Sequence, residues 1–220
     1  MRTWPPEKSI AAFTVIELLI VITTLAIVAA IMLPRLARRP HQFHGFCTNN
    51  LKQIGMAFQT WALDNNDRFP MQTSVTNGGT LELVSTTGVS VHFSVMSNEL
   101  STPRVLVCPA DENRTPATNF TTDLNDKKVS YFVVVNAAET NATMLLSGDR
   151  NITNGFRLGK STLLLVPNSP ARWTHELHHD SASQPLGNVL FSDGSVQQLN
   201  NSGLQSALQR SGMTNRLAMP

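Results

Sequence analysis

The chain holds 220 residues, 41% hydrophobic and 15% charged, with a formal net charge of +2. So small a charge, with no face dense in Lys and Arg beyond one group of arginines at 35, 38 and 39, excludes a nucleic-acid footprint. No internal repeat is visible, and Gly78 and Gly79 make no phosphate loop because no Gly-Lys-Ser/Thr follows them.

Residues 1–12, MRTWPPEKSIAA, read as a short polar leader ending in the small residues Ala11 and Ala12. Residues 13–33, FTVIELLIVITTLAIVAAIML, follow, apolar nearly throughout. As a helix they would reach about 31 Å, the thickness of a bilayer's hydrocarbon core, which predicts a transmembrane helix over 13–34. One carboxylate, Glu17, lies near its start, and a lone ionised acid at such depth costs several kcal/mol, roughly, unless it is paired. The small residues precede the apolar run, so a cut there would leave the helix in the product. Cleavage between Ala12 and Phe13 would set Glu17 about one turn from a new amino terminus. Pro34 closes the run, and with Pro40 it predicts a kinked segment over 35–45.

The string Ala12-FTVIELLIVI resembles the prepilin-type cleavage and methylation signal of type IV pilins and type II secretion pseudopilins. Where the family usually has Gly before the cut, this chain has Ala12. The resemblance implies a prepilin peptidase that cuts before Phe13 and methylates the new amine. It also implies that Glu17 pairs with the terminal amine of a neighbouring subunit as the chain self-associates into a filament, with secretion-system inner-membrane proteins assisting assembly. Arg35, Arg38 and Arg39 after the span would by charge counting keep the C-terminal part in the cytoplasm. The resemblance instead implies a single pass of the inner membrane, contact with the lipid bilayer, and a periplasmic α+β domain over 46–220. The segments CTNNLKQIGMAFQTWALDNNDRFP, SNELSTPRVLVCPAD and GNVLFSDGSVQQL are similar to a pseudopilin-type family of Verrucomicrobia and Planctomycetes. Many of its members carry a histidine before the Asp-Gly of the last hairpin, at the place of Ser183 here.

In the remaining chain, Leu51, Ile54, Phe58 and Trp61 recur at helical spacing and predict a second helix over 47–66, capped by Thr48, whose apolar stripe faces a sheet. The oxygen-rich run 64–67 lacks the spacing of a calcium loop and reads as a turn. Strand-like pieces follow at 80–85, 91–96, 105–107, 129–136, 144–147 and 162–166. Residues 188–192 and 195–199 flank Asp193 and Gly194, a pair suited to a type I′ hairpin turn, and 204–210 predict a short helix. This order defines an α+β fold of mainly antiparallel sheet. With the resemblance it becomes a pilin-like layout, a long N-terminal helix whose outer half packs on the sheet.

Cys47 and Cys108, the chain's two cysteines, could pair in an oxidising compartment or stand as separate buried thiols. His175, His178, His179, Asp180 and Asp193 offer ligand and proton-carrier chemistry, but no spacing forces two onto one face, so a solvated loop is expected there. Asp149 and Arg150, within SGDRN, lack a nucleophile elbow and read as a turn and an ion pair. No catalytic residue, metal site or cofactor is expected, and the function predicted is structural. The alternative is an anchored minor pilin or a carbohydrate- or surface-binding module, with Trp61 and Trp173 as stacking residues.

Overall fold

The structure, a computed structural model, describes residues 14–36, 42–85, 87–153, 155–158, 161–180 and 182–220. The chain divides into two compact units, Met1–Arg39 and Pro40–Pro220. The first holds one helix, α1 (Val15–Leu36). Its run of Leu, Ile, Val and Ala favours helix, and Thr14 starts it: Thr14 Oγ1 and N–H both donate to Glu17 Oε2, at 2.7 and 2.9 Å, while Glu17 N–H donates back to Thr14 Oγ1. The consecutive residues Leu18, Leu19, Ile20, Val21 and Ile22 are all exposed. Successive residues turn about 100°, so this helix is apolar on every side.

Two expectations are corrected here. Among the described residues no helix is long and apolar enough to cross a membrane. The last turn of α1 carries Pro34 and Arg35. The transmembrane helix of the pilin-like fold, and the single-pass inner-membrane placement built on it, therefore fall. Nor does one long helix serve the sheet, since α1 is short and exposed and a separate helix packs there. The helix continues past Pro34 to Leu36, and residues 37–41 of the expected kink, like the leader with Ala12 and Phe13, lie outside the described residues.

The second unit opens with α2 (Gln42–Asp64). It starts before Cys47, so Thr48 is inside the helix rather than its cap. Leu51, Ile54, Ala57, Phe58 and Trp61 form its buried stripe. Gly55 lets the helix approach the sheet, because a Cβ there would stand 2.8 Å from Leu190 Cδ1. The helix ends where Asn66 and Asp67 take left-handed φ of 56° and the Asp67 N–H donates to Ala62 O.

The strands are β1 (Tyr131–Val134), β2 (Leu145–Asp149), β3 (Ile152–Thr153), β4 (Phe156–Leu158), β5 (Thr162–Leu165), β6 (Arg172–Trp173), β7 (His178–His179), β8 (Pro185–Phe191), β9 (Val196–Leu199) and β10 (Asn215–Ala218). Eight form one sheet in the order β4-β5-β10-β1-β2-β8-β7, with β9 also on β8, while β3 and β6 pair separately. Every pairing is antiparallel. Strands β1 and β2 are buried throughout, the sign of a central position covered on both faces. A last helix, α5 (Asn201–Ser211), is capped by Asn200 Oδ1, which accepts from Gly203 N–H at 2.8 Å, and ends at Gly212, φ +61°.

Three of the expected strands are helical turns instead. Residues 81–83 and 103–106 are 3-10 turns, and 91–96 overlaps helix α3 (Ser90–Ser94), followed by α4 (Ser97–Leu100). The buried residues Val89, Phe93, Met96 and Leu100 recur at helical spacing, and that period outweighs the β propensity of the valines. The last hairpin forms, but its turn is not type I′. Gly194 has φ +82° while Asp193 does not take a positive φ. The Gly194 N–H donates to Phe191 O and the Phe191 N–H to Ser195 O, a type I turn closed by a glycine bulge.

Candidate functional site

Two groups of side chains are candidates, one in each unit. In the first, Glu17 is the sole charged residue of α1 before Arg35, and the hydrogen bonds from Thr14 hold its carboxyl below the usual range.

The second group joins α2 to the sheet. Cys47, on the first part of α2, is joined to Cys108, and both sulfurs are buried. The bond closes a loop of 61 residues, for which loop-closure entropy gives about 4 kcal/mol of stabilisation. Cys108 follows the 3-10 turn Pro103–Leu106, which Thr102 Oγ1 caps, and Asn50 Nδ2 ties this segment to α2 by donating to Val107 O at 3.0 Å. Against the disulfide lies His178 of β7, its Nε2 3.4 Å from Cys108 Sγ and 3.4 Å from Asp149 Oδ2. His178 is 1% exposed, so the expected solvated loop is wrong at this residue: pairing of His178 with Leu186 in β8 turns its side chain inward. His179, the next residue, is half-buried.

Asp149 ends β2 rather than making a turn, and it is fully buried. Its Oδ2 accepts from the backbone N–H and the Nδ2 of Asn188, at 2.7 and 2.8 Å, while Oδ1 has no hydrogen-bond partner among the described residues. Burial raises its carboxyl to about 7, against the pull of the two Asn188 bonds. The same burial, with the Asp149 charge adding to it, pushes the Tyr131 hydroxyl well up. Asn188 also meets α2, since Thr48 Oγ1 lies 3.2 Å from its Oδ1.

Beside this cluster Arg150 makes its ion pair. Its Nε and Nη2 bind Asp111 Oδ2 and Oδ1 at 2.7 and 2.8 Å, and Nη1 binds Glu176 at 2.6 Å. Burial alone would raise the Asp111 carboxyl, but Arg150 and Ser130, whose Oγ donates at 2.8 Å, hold it below its usual range. A cleft of about 450 Å³, lined by Asn50, Val107, Cys108, Asp111 and Arg114 among others, opens next to Cys108.

The residues singled out by sequence are thus dispersed. Cys47, Cys108, His178 and Asp149 come together; Glu17 stands in the other unit; His175 and Asp180 make no contact with the disulfide among those described; and Asp193 and Gly194 hold the β8–β9 turn. Gly194 is required by its φ of +82°, and the flexible end of Gln59 from α2 lies over it. Trp61 and Trp173 are 6% and 3% exposed, so neither presents a ring for stacking on sugar. Asp111 and Asn188 carried no motif; only their pairing across the fold reveals them. The chain matches no protein-family model, no curated protein and no solved structure.

Proposed function

We propose that the protein is a structural subunit of a filament of the type II secretion pseudopilus or type IV pilus kind, self-associating through α1 after removal of residues 1–12. The observation that carries this reading is the all-round apolar surface of α1, with five consecutive large aliphatic residues exposed. Such a helix is stable in water only when other apolar surface covers it, and the same helix from neighbouring copies supplies that cover. Glu17 then needs a cation as water is excluded. The ammonium of a cleaved Phe13 on the adjacent copy would be that cation, and its attraction rises as the dielectric falls. A prepilin peptidase and the assembly proteins of a secretion system are the partners this reading requires.

The second unit fits the display role. Its disulfide, buried ion pair and continuous sheet make a rigid body, and the alternative of a sugar-binding module loses its stacking residues to the core. The test is Glu17→Val, with filaments read by electron microscopy and the mature terminus by intact mass. The variant is expected to accumulate as cleaved subunit without filaments. Normal filaments from Glu17→Val, or a wild-type protein still beginning at Met1, would overturn the reading.

A further inference from the structure

We propose that reduction of the Cys47–Cys108 disulfide opens a tetrahedral site for a thiophilic divalent cation of the Zn²⁺ class, with Cys47 Sγ, Cys108 Sγ and His178 Nε2 as the protein donors and a water in the fourth position. The two sulfurs and Nε2 already lie within 4.8 Å of one another. A tetrahedral centre with bonds of about 2.3 Å to sulfur and about 2.0–2.2 Å to nitrogen and oxygen has edges of about 3.6 Å for S–N and about 3.4 Å for N–O. The observed separation is 3.4 Å for Cys108 Sγ to His178 Nε2, and Asp149 Oδ2 stands 3.4 Å from the same nitrogen, outside the donor cluster. One edge of the polyhedron is therefore present before any ion arrives. The edge that is too short is the covalent one, and breaking it lets the sulfurs separate to about 3.8 Å by rotation about their Cα–Cβ bonds.

A second observation points the same way. Asp149 is wholly buried, and its Oδ1 has no hydrogen-bond partner among the described residues. A buried carboxylate oxygen without a donor is costly, and a cation beside it removes the cost. Asn188 fixes the carboxylate through Oδ2 with two hydrogen bonds, which holds it as a negative charge beside the ligating His178. The donor set of two thiolates, one imidazole and one water suits Zn²⁺ rather than Ca²⁺ or Mg²⁺, which prefer oxygen alone.

The conversion balances with a dithiol as reductant. Two electrons and two protons pass to the disulfide, the S–S bond breaks to give two thiols, and the reductant leaves as its own disulfide. Binding of the divalent ion then displaces the two thiol protons. The cleft beside Cys108 brings solvent to the segment that carries it. Oxidised and metal-bound states exclude each other, so the site is a redox-gated one. It involves no residue of α1 and stands or falls independently of filament assembly.

The full chain is reduced with a dithiol under inert gas, freed of reductant by gel filtration, and titrated with Co²⁺ and then Zn²⁺. Near-ultraviolet circular dichroism from the buried Trp61 and Trp173 reports the fold. The expected result is one Co²⁺ per chain with thiolate-to-cobalt charge transfer and the strong d–d bands of a tetrahedral centre, absent from the oxidised protein and erased by Zn²⁺. His178→Ala should weaken Co²⁺ binding by about tenfold or more. Asp149→Asn, which keeps the side chain's size, should do the same and serves where His178→Ala fails to fold. A reduced, folded protein without charge-transfer bands overturns the proposal. So does reduction that unfolds the chain without rescue by metal, or a folded Asp149→Asn variant with unchanged bands and affinity.

Discussion

His92 gives the cleanest test of the packing between α3 and the segment before it. The side chain is fully buried, with Nδ1 2.8 Å from Thr80 Oγ1 and Nε2 without a partner among the described residues. Burial lowers its pKa from 6.5 to about 4, and the negative charge of Asp126 offsets only part of that. The unfolded chain takes up the proton near 6.5 and the folded one only near 4, so the unfolded state binds more protons throughout that interval. Stability from the neutral imidazole is complete above about 6.5 and drains away as pH falls toward 4. A gap of about 2.5 at 1.36 kcal/mol per pH unit gives about 3 kcal/mol between pH 7 and pH 4. The comparison is with His92→Asn, whose amide keeps a polar atom opposite Thr80 but cannot titrate. Urea unfolding of both proteins, followed by fluorescence of Trp61 and Trp173, yields the free energy at each pH. The variant will be less stable than the parent at pH 7 and should recover about 3 kcal/mol relative to it by pH 4. Parallel profiles within about 0.5 kcal/mol would refute the buried neutral histidine.

Asp149 has the opposite sign: its carboxyl is raised from 3.8 to about 7, so the folded state holds the proton longer and stability is lost as pH rises through that range. Asp149→Asn in the oxidised protein should therefore gain roughly 2–3 kcal/mol on the parent between pH 5 and pH 8, read by the same urea series. Arg150→Ala leaves the Asp111 carboxylate buried without its guanidinium and should cost about 3–5 kcal/mol in thermal or chemical unfolding, whereas Arg150→Lys, which cannot reproduce the two-point contact, should lie between.

The α+β class, the apolar stripe of α2, the last hairpin and the final helix were legible because each rests on a local period or turn signal. The stretch from 80 to 107 was misread for a physical reason. Thr80, Val84, Val91, Val95, Val105 and Val107 raise strand propensity residue by residue, but Pro70 and Pro103 each open a 3-10 turn, Thr102 caps the second through Arg104 N–H, and Ser74 caps a further turn, Val75–Asn77, through Thr76 N–H. Edge-free helical turns then bury Val89, Phe93, Met96 and Leu100 against α2, and Phe58 meets Phe69 edge-on at 5.6 Å. The tertiary partner, absent from any local window, decided between strand and helix. At the N-terminus the apolar run closed by Pro34 was read as a span, whereas among the described residues no helix is long and apolar enough to cross a membrane.

The candidate site was illegible for a different reason, which bears on what it is. Cys47, Cys108, Asp149 and His178 are separated by 61, 41 and 29 positions, and three different elements and one turn deliver them. No spacing motif joins them; what does is the antiparallel register. Gly148 pairs with Val189, which places Asp149 beside Asn188, and His178 pairs with Leu186 further along the same strand. A one-residue slip of β8 would turn Asn188 away from the carboxylate and His178 away from the disulfide. Gly148 and Gly187 guard against that slip, because a Cβ at either would meet Phe132 at 2.7 Å or Trp173 at 2.4 Å. Substitutions that loosen this register, such as Gly187→Val, should therefore expose the disulfide to reductant before they unfold the sheet, a sequence of events that thiol labelling during a urea series can order.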